Sequence, residues 1–207
     1  PTAATQLMQH RVDADVSTLR YALCGSSPLP VELFKRFQEA TGVEIIEGYG
    51  MTEATGGITR TPPNDYKKDS VGKALPGIKL KLKEDGELYI RGPYVSLEYY
   101  KEKYSNSLKN GWFYTEDIFK ENNGHYYIVD RKKDIYKNSR GQTIAPQKIE
   151  NLFQDFDLVK SVFLVGDGLE FNTVLLYPNY DNFKIDINNI HEDEIRDIFS
   201  SMILSVN

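Results

Sequence analysis

The sequence contains little cysteine and histidine, and this limits the chemistry that we expect of it. Among its 207 residues are one cysteine, Cys24, and three histidines, His10, His125 and His191. A single cysteine forms no disulfide within the chain, which is typical of a reducing compartment, so we expect a cytoplasmic location. None of the histidines is near Cys24 in sequence. A cysteine nucleophile is therefore not favoured, and Cys24 is predicted to fill a buried space.

The sequence also lacks an excess of basic residues and a long apolar run. Its 25 basic and 30 acidic residues give a net charge of −5. Such a chain has no general attraction for nucleic acid, which we do not expect as a partner. No run approaches the roughly 20 apolar residues that span a bilayer, and no signal peptide is visible. With 40% hydrophobic and 27% charged residues, the composition is that of a folded protein.

Both ends of the sequence interrupt a pattern. The chain begins with Pro1, its first methionine is Met8, and residues 191–207 stop within a helical spacing of apolar side chains. We expect that this chain is a piece of a longer polypeptide.

The first third of the chain has the order strand, helix, strand. Residues 19–23 predict a strand, residues 31–41 a helix that ends at Gly42, and residues 43–50 a strand that runs into a loop. This order is typical of an α/β unit with a parallel sheet, in which ligands bind at loops beyond the carboxyl ends of the strands. Residues 24–28 and 48–53 are predicted to be two such loops.

Three regions follow from the change of pattern along the chain. Residues 1–65 are predicted to be the end of an α/β nucleotide-binding subdomain, and the proline-bearing stretch 61–70 is a candidate boundary. Residues 66–130 predict a β-rich subdomain with hairpins at Asp85-Gly86 and Asn123-Gly124. Residues 131–207 predict a basic connector and a small, incomplete α+β domain with a hairpin at Asp167-Gly168.

The stretch EGYGMTE, residues 47–53, offers several groups that a nucleotide needs. Glycine lets backbone N–H groups approach an anion, Tyr49 supplies a flat ring, Thr52 a hydroxyl, and Glu53 an oxygen ligand suited to Mg²⁺. A dinucleotide GxGxxG motif is excluded because Glu53 holds its third glycine position, and a Walker phosphate loop is absent from the sequence. From spacing alone, a surface turn with incidental polar residues remains an equal alternative.

Five stretches in order resemble the motifs of the AMP-forming adenylating enzymes, the superfamily of acyl-CoA synthetases, luciferases and nonribosomal adenylation domains. They are CGSSPLP (24–30), EGYGMTE (47–53), SVGKALPGIKLKL with GELYIRGPYVSLEYY (70–100), GWFYTED (111–117) and YYIVDRKKDIYKNSRGQTIAPQKIE (126–150). The resemblance extends from about residue 19 to residue 178. It implies the end of a large α/β adenylation domain with a β-rich subdomain, followed by a small α+β domain.

The resemblance also implies an activity and its cofactors. Members of the superfamily join a carboxylate to the α-phosphate of ATP with Mg²⁺ and then let coenzyme A displace AMP. The residues of DRKKD and IAPQKIE resemble the versions of this motif in acyl-CoA synthetases that act on fatty or related carboxylic acids. Expected partners are thus ATP, a carboxylic acid and coenzyme A. Peripheral contact with a membrane and a homodimer are further expectations.

The resemblance assigns roles to individual residues. It implies that Tyr49 stacks on adenine, that Thr52 bonds the α-phosphate, that Glu53 holds Mg²⁺ and that Asp117 accepts the ribose hydroxyls. Thr52, Glu53 and the hinge residue Lys133 are the implied catalytic set. The implied nucleotide-binding residues are Gly25, Ser26, Ser27, Glu47, Gly48, Tyr49, Gly50, Met51, Thr52, Asp117, Val129 and Arg131. Residues 137–141 are implied to enter the site for the thioester-forming step.

The sequence departs from the family pattern at several positions. Glu116 replaces a glycine beside the implied ribose-binding acid, where we expect it to forbid a backbone conformation open only to glycine. Arg140 replaces a glycine in the thioester segment, and Glu98 and Cys24 replace further glycines. The family's phosphate loop ending in PKG and its C-terminal catalytic lysine are not among the 207 residues. Two alternatives follow: a member that binds nucleotide or a partner without turnover, and an amino-acid adenylation domain.

Overall fold

The computed structural model describes residues 2–10, 12–27, 29–96, 98–99, 102–103, 108–153, 156, 158–180 and 192–206. The helices within these ranges are α1 Thr2–Met8, α2 Val31–Thr41, α3 Pro146–Glu150 and α4 Glu192–Val206, and short 3-10 turns cover Thr52–Ala54 and Asn151–Phe153. The strands within the same ranges are β1 Tyr21–Cys24, β2 Glu44–Met51, β3 Gly56–Arg60, β4 Lys73–Ala74, β5 Lys79–Leu82, β6 Glu87–Arg91, β7 Glu98–Tyr99, β8 Glu102–Lys103, β9 Leu108–Lys109, β10 Trp112–Asn122, β11 His125–Arg131, β12 Tyr136–Lys137, β13 Thr143–Ile144, β14 Val159–Val165 and β15 Thr173–Pro178.

The chain divides into two compact units. The first unit is Pro1–Asp134 and the second unit is Ile135–Asn207. A mixed α/β architecture with a large share of β-structure agrees with the predicted fold class. The predicted three-region division at 65/66 and 130/131 stays a prediction.

The first sheet has the strand order β1-β2-β3-β4. β1 and β2 are parallel, from Tyr21 opposite Glu44 to Cys24 opposite Glu47, which confirms the predicted parallel unit. Helix α2 buries its apolar face against β2, and Phe34 and Phe37 pack there in one cluster with Val43, Ile45 and their neighbours. Cys24 is half-buried at the edge of this cluster.

Helix α2 ends where the sequence predicts. Gly42 has φ 69° in the left-handed region, and its N–H donates to the carbonyl of Gln38. This backbone conformation is cheap only for glycine, so Gly42 stops the helix and starts the turn into β2.

The prediction of a loop at residues 48–51 is wrong. Strand β2 continues through Met51, because β3 pairs with it in antiparallel fashion from Gly48 opposite Arg60 to Met51 opposite Gly56. The pairing supplies the backbone hydrogen bonds that a loop would have taken from solvent. Only the segment after Met51 turns, as the 3-10 turn Thr52–Ala54.

The second sheet has the order β11-β10-β6-β5, with β9 paired to β10. The hairpins predicted at Asp85-Gly86 and Asn123-Gly124 are confirmed as the β5–β6 and β10–β11 connections. Asn123 and Gly124 both have positive φ, 52° and 78°, as a tight two-residue hairpin turn requires.

One apolar core serves both sheets of the first unit. Ala54 and Ile58 from the first sheet region pack in the same buried cluster as Ile78, Leu88 and Phe119. The core therefore joins residues on both sides of the candidate boundary at 61–70.

His125 holds that candidate boundary stretch against the β10–β11 hairpin. Its ring is 2% exposed, with Nε2 3.1 Å from Asp65 Oδ2 and Nδ1 3.4 Å from Ser70 Oγ. The Ser70 hydroxyl is fully buried and donates to the carbonyl of Tyr126. An inaccessible hydroxyl is no nucleophile, so the Asp65–His125–Ser70 group is structural.

The second unit contains the paired strands β12–β13 and β14–β15, with α3 between the pairs in sequence and α4 after them. The hairpin predicted around Asp167-Gly168 is confirmed as the β14–β15 connection. Asn138 is buried in this unit, and its Oδ1 accepts the backbone N–H groups of Arg140 and Gln142. This fixes the turn that joins β12 to β13. Within the described part of the chain, no helix is both long and apolar enough to cross a bilayer.

Candidate functional site

Tyr49 and Asp117, 68 positions apart in sequence, meet in the first unit. The Tyr49 hydroxyl donates a hydrogen bond to Asp117 Oδ2 at 2.6 Å. Arg131 Nε lies 3.9 Å from the other carboxylate oxygen, Oδ1. The Asp117 side chain is 18% exposed, so its carboxylate is largely shielded from solvent.

An irregularity in strand β10 sets the direction of Asp117. Tyr114 pairs with Tyr89 of β6 and Ile118 pairs with Glu87, so three residues of β10 oppose one residue of β6. Bulges of this kind re-aim side chains beside functional sites. The Thr115 hydroxyl donates to the carbonyl of Leu88 and accepts the Asp117 N–H, which fixes the bulge.

Glu116 lies in this bulge with φ 59°, in the left-handed region. The expectation that a glutamate would forbid this conformation is wrong: the chain adopts it with the glutamate in place. For a residue other than glycine, asparagine or aspartate it costs about 1 kcal/mol.

A second bulge lies opposite, in β11. Ile118 pairs with Asp130 and Phe119 with Ile128, so Val129 has no partner in the ladder between them. Val129 is half-buried. The extra residue brings Arg131 opposite Asp117 at the end of the strand.

Tyr49 is a fixed hydrogen-bond donor. Burial raises the pKa of its hydroxyl, and the neighbouring Asp117 carboxylate raises it further, so the hydroxyl keeps its proton. The ring edge meets Phe119 with 4.9 Å between centroids. Burial also raises the pKa of the Asp117 carboxyl, while the Tyr49 hydrogen bond and the Arg131 charge oppose this shift.

Gly25 and Gly48 are close because β1 and β2 are parallel neighbours. A Cβ at Gly25 would lie 3.3 Å from the carbonyl oxygen of Gly48. Ser26 follows with φ 70°, so the exposed turn 25–27 leaves β1 beside the Gly48 end of β2. The structure thus places the predicted residues Gly25, Ser26 and Ser27 next to the second predicted motif.

Gly48 and Gly50 have a packing reason that sequence reasoning missed. A Cβ at Gly48 would lie 2.8 Å from the carbonyl oxygen of Thr59, and a Cβ at Gly50 would overlap the carbonyl oxygen of Gly56. The close approach of β3 therefore requires both glycines, whatever ligand the motif binds.

Thr52 and Glu53 follow β2 in the 3-10 turn. The turn ends at Thr55, whose φ is 57° and whose N–H donates to the carbonyl of Thr52. The Glu53 carbonyl accepts the Ser96 N–H at 2.7 Å, which ties the turn to the segment after β6. Met51, the last residue of β2, packs against the apolar core. Lys133 lies beyond β11 and is exposed; no contact in the described ranges joins it to Tyr49 or Asp117.

Sequence reasoning also missed Thr115, Phe119 and Lys132 around Asp117. The alternation of buried residues in β10, with Phe113, Thr115 and Phe119 buried, is the signal that could have placed Thr115 inside. Lys132 lies within the motif stretch DRKKD, but the local sequence does not indicate its contacts with Asp85 and Glu87.

Glu47 is a half-buried carboxyl at the level of the β1 terminus. Burial raises its pKa to about 7, and the nearby Asp69 carboxylate adds to the rise, while a backbone hydrogen bond from Leu29 opposes it. The carboxyl therefore changes charge close to neutral pH.

Replacing Glu47 with glutamine is expected to stabilise the fold at high pH only. The folded pKa of about 7 lies above the ordinary 4.5, so the folded state binds more protons between these values, and stability falls as pH rises through that window. Above pH 7 the penalty is about 3 kcal/mol, and glutamine, which carries no charge, removes it. Urea unfolding of Glu47→Gln at pH 8.5 and pH 4.5 measures the difference. Glu44→Gln, in the same strand, is the control; an equal gain at both pH values would contradict the prediction.

The described residues contain no group of three or more histidine, cysteine or acidic side chains that could hold a metal ion by themselves.

The chain is similar in sequence to known proteins. Residues 1–100 match the model of a family described as AMP-binding enzyme. The chain is 37% identical over 169 residues to a Mycobacterium tuberculosis (strain ATCC 25618 / H37Rv) protein named provisionally as fatty-acid–CoA ligase fadD11, covering 79% of this chain and 29% of that protein. It is 34% identical over 181 residues to human long-chain-fatty-acid–CoA ligase 1, covering 80% of this chain and 26% of that protein. The chain thus spans less than a third of the length of these relatives.

Solved structures show the same fold. The anthranilate CoA ligase AuaEII in complex with anthranoyl-AMP matches with a TM-score of 0.76 and 26% identity, over 96% of this chain and 40% of that one. The o-succinylbenzoate CoA synthetase MenE of Bacillus subtilis in complex with ATP and magnesium ion matches with a TM-score of 0.73 and 26% identity, over 86% of this chain and 40% of that one. With the family match and the curated relatives, these likenesses confirm what the five motifs indicate: the chain is a member of the AMP-binding, adenylate-forming enzyme family.

Proposed function

We propose that the protein is an AMP-forming acyl-CoA synthetase, which adenylates a fatty or related carboxylic acid with ATP and transfers the acyl group to coenzyme A. The observation that carries the proposal is the Tyr49–Asp117–Arg131 cluster, which presents an aromatic ring, a shielded carboxylate and a guanidinium together. These are the groups that a purine, a ribose and a phosphate need.

The carboxylate suits a ribose. Each oxygen of Asp117 has two lone pairs, so Oδ2 can accept a ribose hydroxyl while it holds the Tyr49 hydrogen bond. Oδ1 accepts the second hydroxyl, and Arg131 remains near enough to bind ribose or phosphate oxygen. Because Asp117 is mostly buried, these bonds form away from competing water.

The residues also fit Mg²⁺ held largely by phosphate oxygens. Magnesium in nucleotide sites commonly takes one or two carboxylates and completes its shell with phosphates and water. Glu53 is the residue that would hold it, and Thr52 would bond the α-phosphate beside it. Bound there, the metal neutralises phosphate charge; the chain's own part is to hold the nucleotide in position.

A fatty acid is the proposed substrate because the curated relatives with 33–37% identity are fatty-acid ligases. The solved structures, at 26% identity, act on aromatic acids by their titles. We further propose that residues 137–141 serve the thioester-forming step and that Lys133 is the hinge.

Calorimetric titration of the chain with AMP and with a non-hydrolysable acyl-adenylate mimic tests the nucleotide site. We expect saturable binding that is lost in a Tyr49→Ala, Asp117→Ala double variant whose circular dichroism is unchanged. For the complete gene product we expect AMP formation from ATP that depends on an added fatty acid and exceeds that with an aromatic acid. A folded chain that binds neither ligand, together with no carboxylate-dependent AMP formation, would overturn the proposal.

A second candidate function is nucleotide or partner binding without turnover. It is favoured by Glu116, whose negative charge lies next to Asp117 in a bulge where its backbone has positive φ.

Replacing Glu116 with glycine is expected to stabilise the fold by about 1 kcal/mol, since glycine adopts this φ without strain. Urea unfolding checks the stability. Activity gained only after Glu116→Gly and Arg140→Gly would support this candidate, and full activity of the unaltered gene product would exclude it.

A further inference from the structure

Lys132 is attached to the first unit at three points. It follows the last residue of β11, and its backbone N–H donates to the carbonyl of Glu116 at 2.7 Å. Its Nζ donates to Asp85 Oδ2 and to Glu87 Oε2, both at 2.8 Å. One residue thus ties the end of β11 to the bulge of β10 and to the β5–β6 hairpin.

The two acids that hold the lysine are themselves fixed. Glu87 is the first residue of β6 and is 5% exposed, and it pairs in register with Ile118 beside the bulge. Asp85 Oδ1 accepts the N–H of Glu87, so the hairpin turn sets the spacing of the two carboxylates. A buried carboxylate needs a partner, and among the described residues Lys132 is the cation paired with Glu87.

The backbone bond lies at the end of the β10–β11 pairing, one residue beyond the register pair Asp117 and Arg131. The Glu116 carbonyl accepts the Lys132 N–H. Asp117 follows Glu116 and Arg131 precedes Lys132, and Asp117 and Arg131 are register partners. Movement of Lys132 would therefore move both residues of the candidate ribose site.

We propose that Lys132 is a positioning residue for Asp117 and Arg131, and that its three attachments set how the site receives the ribose hydroxyls. This inference rests on the proposed nucleotide site. We call Lys132 with its three attachments the anchor. Only Lys133 and Asp134 separate Lys132 from the second unit. The three residues that hold Lys132, namely Glu116, Asp85 and Glu87, all lie within the first unit.

The variants must distinguish a change in the position of Asp117 and Arg131 from a loss of folding stability. Lys132→Met alone leaves Glu87 buried without a cation, which can unfold the protein, so the test variant is the double replacement Lys132→Met, Glu87→Gln. Lys132→Arg keeps the charge and both acid contacts as the conservative rescue. Lys120→Met, an exposed lysine of β10, is the matched control.

Titration with AMP and with 2′,3′-dideoxy-AMP gives a readout that a purely structural role would not move. The double variant is expected to bind AMP about tenfold more weakly, a loss of about 1.4 kcal/mol, while its affinity for dideoxy-AMP changes less than about twofold. Lys132→Arg should return AMP affinity to within about threefold of the unaltered chain, and Lys120→Met should leave it unchanged. Equal losses for both nucleotides, or no loss in the folded double variant, would overturn the proposal.

Amide hydrogen exchange separates failure of this inference from failure of the nucleotide proposal. In the ligand-free protein, the backbone amide at position 132 is compared between the unaltered chain and the double variant. We expect exchange about tenfold faster in the variant, while the Phe119 amide in the core is unchanged. If the chain binds no AMP but shows this exchange pattern, the proposed nucleotide site is refuted, while the structural role of the Lys132 attachments is supported. Unaltered exchange at position 132 would refute the anchor itself.

Discussion

Replacing Asp117 with asparagine is expected to weaken AMP binding by about 10- to 150-fold. A hydrogen bond to a charged acceptor contributes about 1.5–3 kcal/mol, and asparagine keeps the size of the side chain while it loses the charge and one acceptor oxygen. The Tyr49 hydroxyl, 2.6 Å from Asp117 Oδ2, can still donate to the amide oxygen, so the local fold should persist. Calorimetric titration of Asp117→Asn with AMP measures the loss.

Two comparisons make this result specific. The affinity for 2′,3′-dideoxy-AMP should fall by less than about threefold, because that nucleotide offers no hydroxyl to the carboxylate. Tyr49→Phe keeps the ring and removes the hydroxyl that holds Oδ2, and is expected to weaken AMP binding by about five- to tenfold. Equal losses for AMP and dideoxy-AMP in Asp117→Asn would show that Asp117 does not bind ribose.

Replacing Gly50 with alanine is expected to destabilise the first unit by about 4 kcal/mol or more. The added Cβ would overlap the backbone of Gly56 in the neighbouring strand, and no side chain can move aside to relieve the overlap. Effects this large come from a short set of mechanisms, of which overpacking against backbone is one. Urea unfolding followed by circular dichroism measures the change in the free energy of unfolding.

Gly42→Ala is the matched control for this prediction. Gly42 has φ 69°, but a Cβ added there would have nothing within 4 Å, so alanine meets strain without overlap and should cost about 1 kcal/mol. Similar losses for the two variants would mean that β3 moves away from Gly50 easily. The motif glycines would then have to be explained by the ligand alone.

Local sequence patterns predicted the separate elements well. Gly42 ends α2 in the left-handed conformation, and Asn123-Gly124 closes the β10–β11 hairpin, because both depend on backbone preferences of single residues. The parallel pairing of β1 with β2 followed from the order strand, helix, strand. These features need no information from distant parts of the chain.

For features that depend on residues distant in sequence, the predictions from sequence are wrong or missing. Gly48 and Gly50 were expected in a loop, and they lie in a strand because β3 pairs beside them. Glu116 was expected to forbid a left-handed backbone, and the bulge imposes that conformation on it. In both cases tertiary pairing outweighs the preference of the residue itself.

The sequence by itself determined the family, and it predicted the residue types of the candidate site, since Tyr49, Asp117 and Arg131 each lie within a motif that local order makes recognisable. Only the tertiary structure decided how these side chains act together. Two bulges aim Asp117 and Arg131 at each other, the Tyr49 hydroxyl reaches across from another sheet, and Lys132 holds the bulge from the hairpin side. Hydrogen-bond geometry between residues tens of positions apart depends on strand register and burial, which no short stretch of sequence specifies.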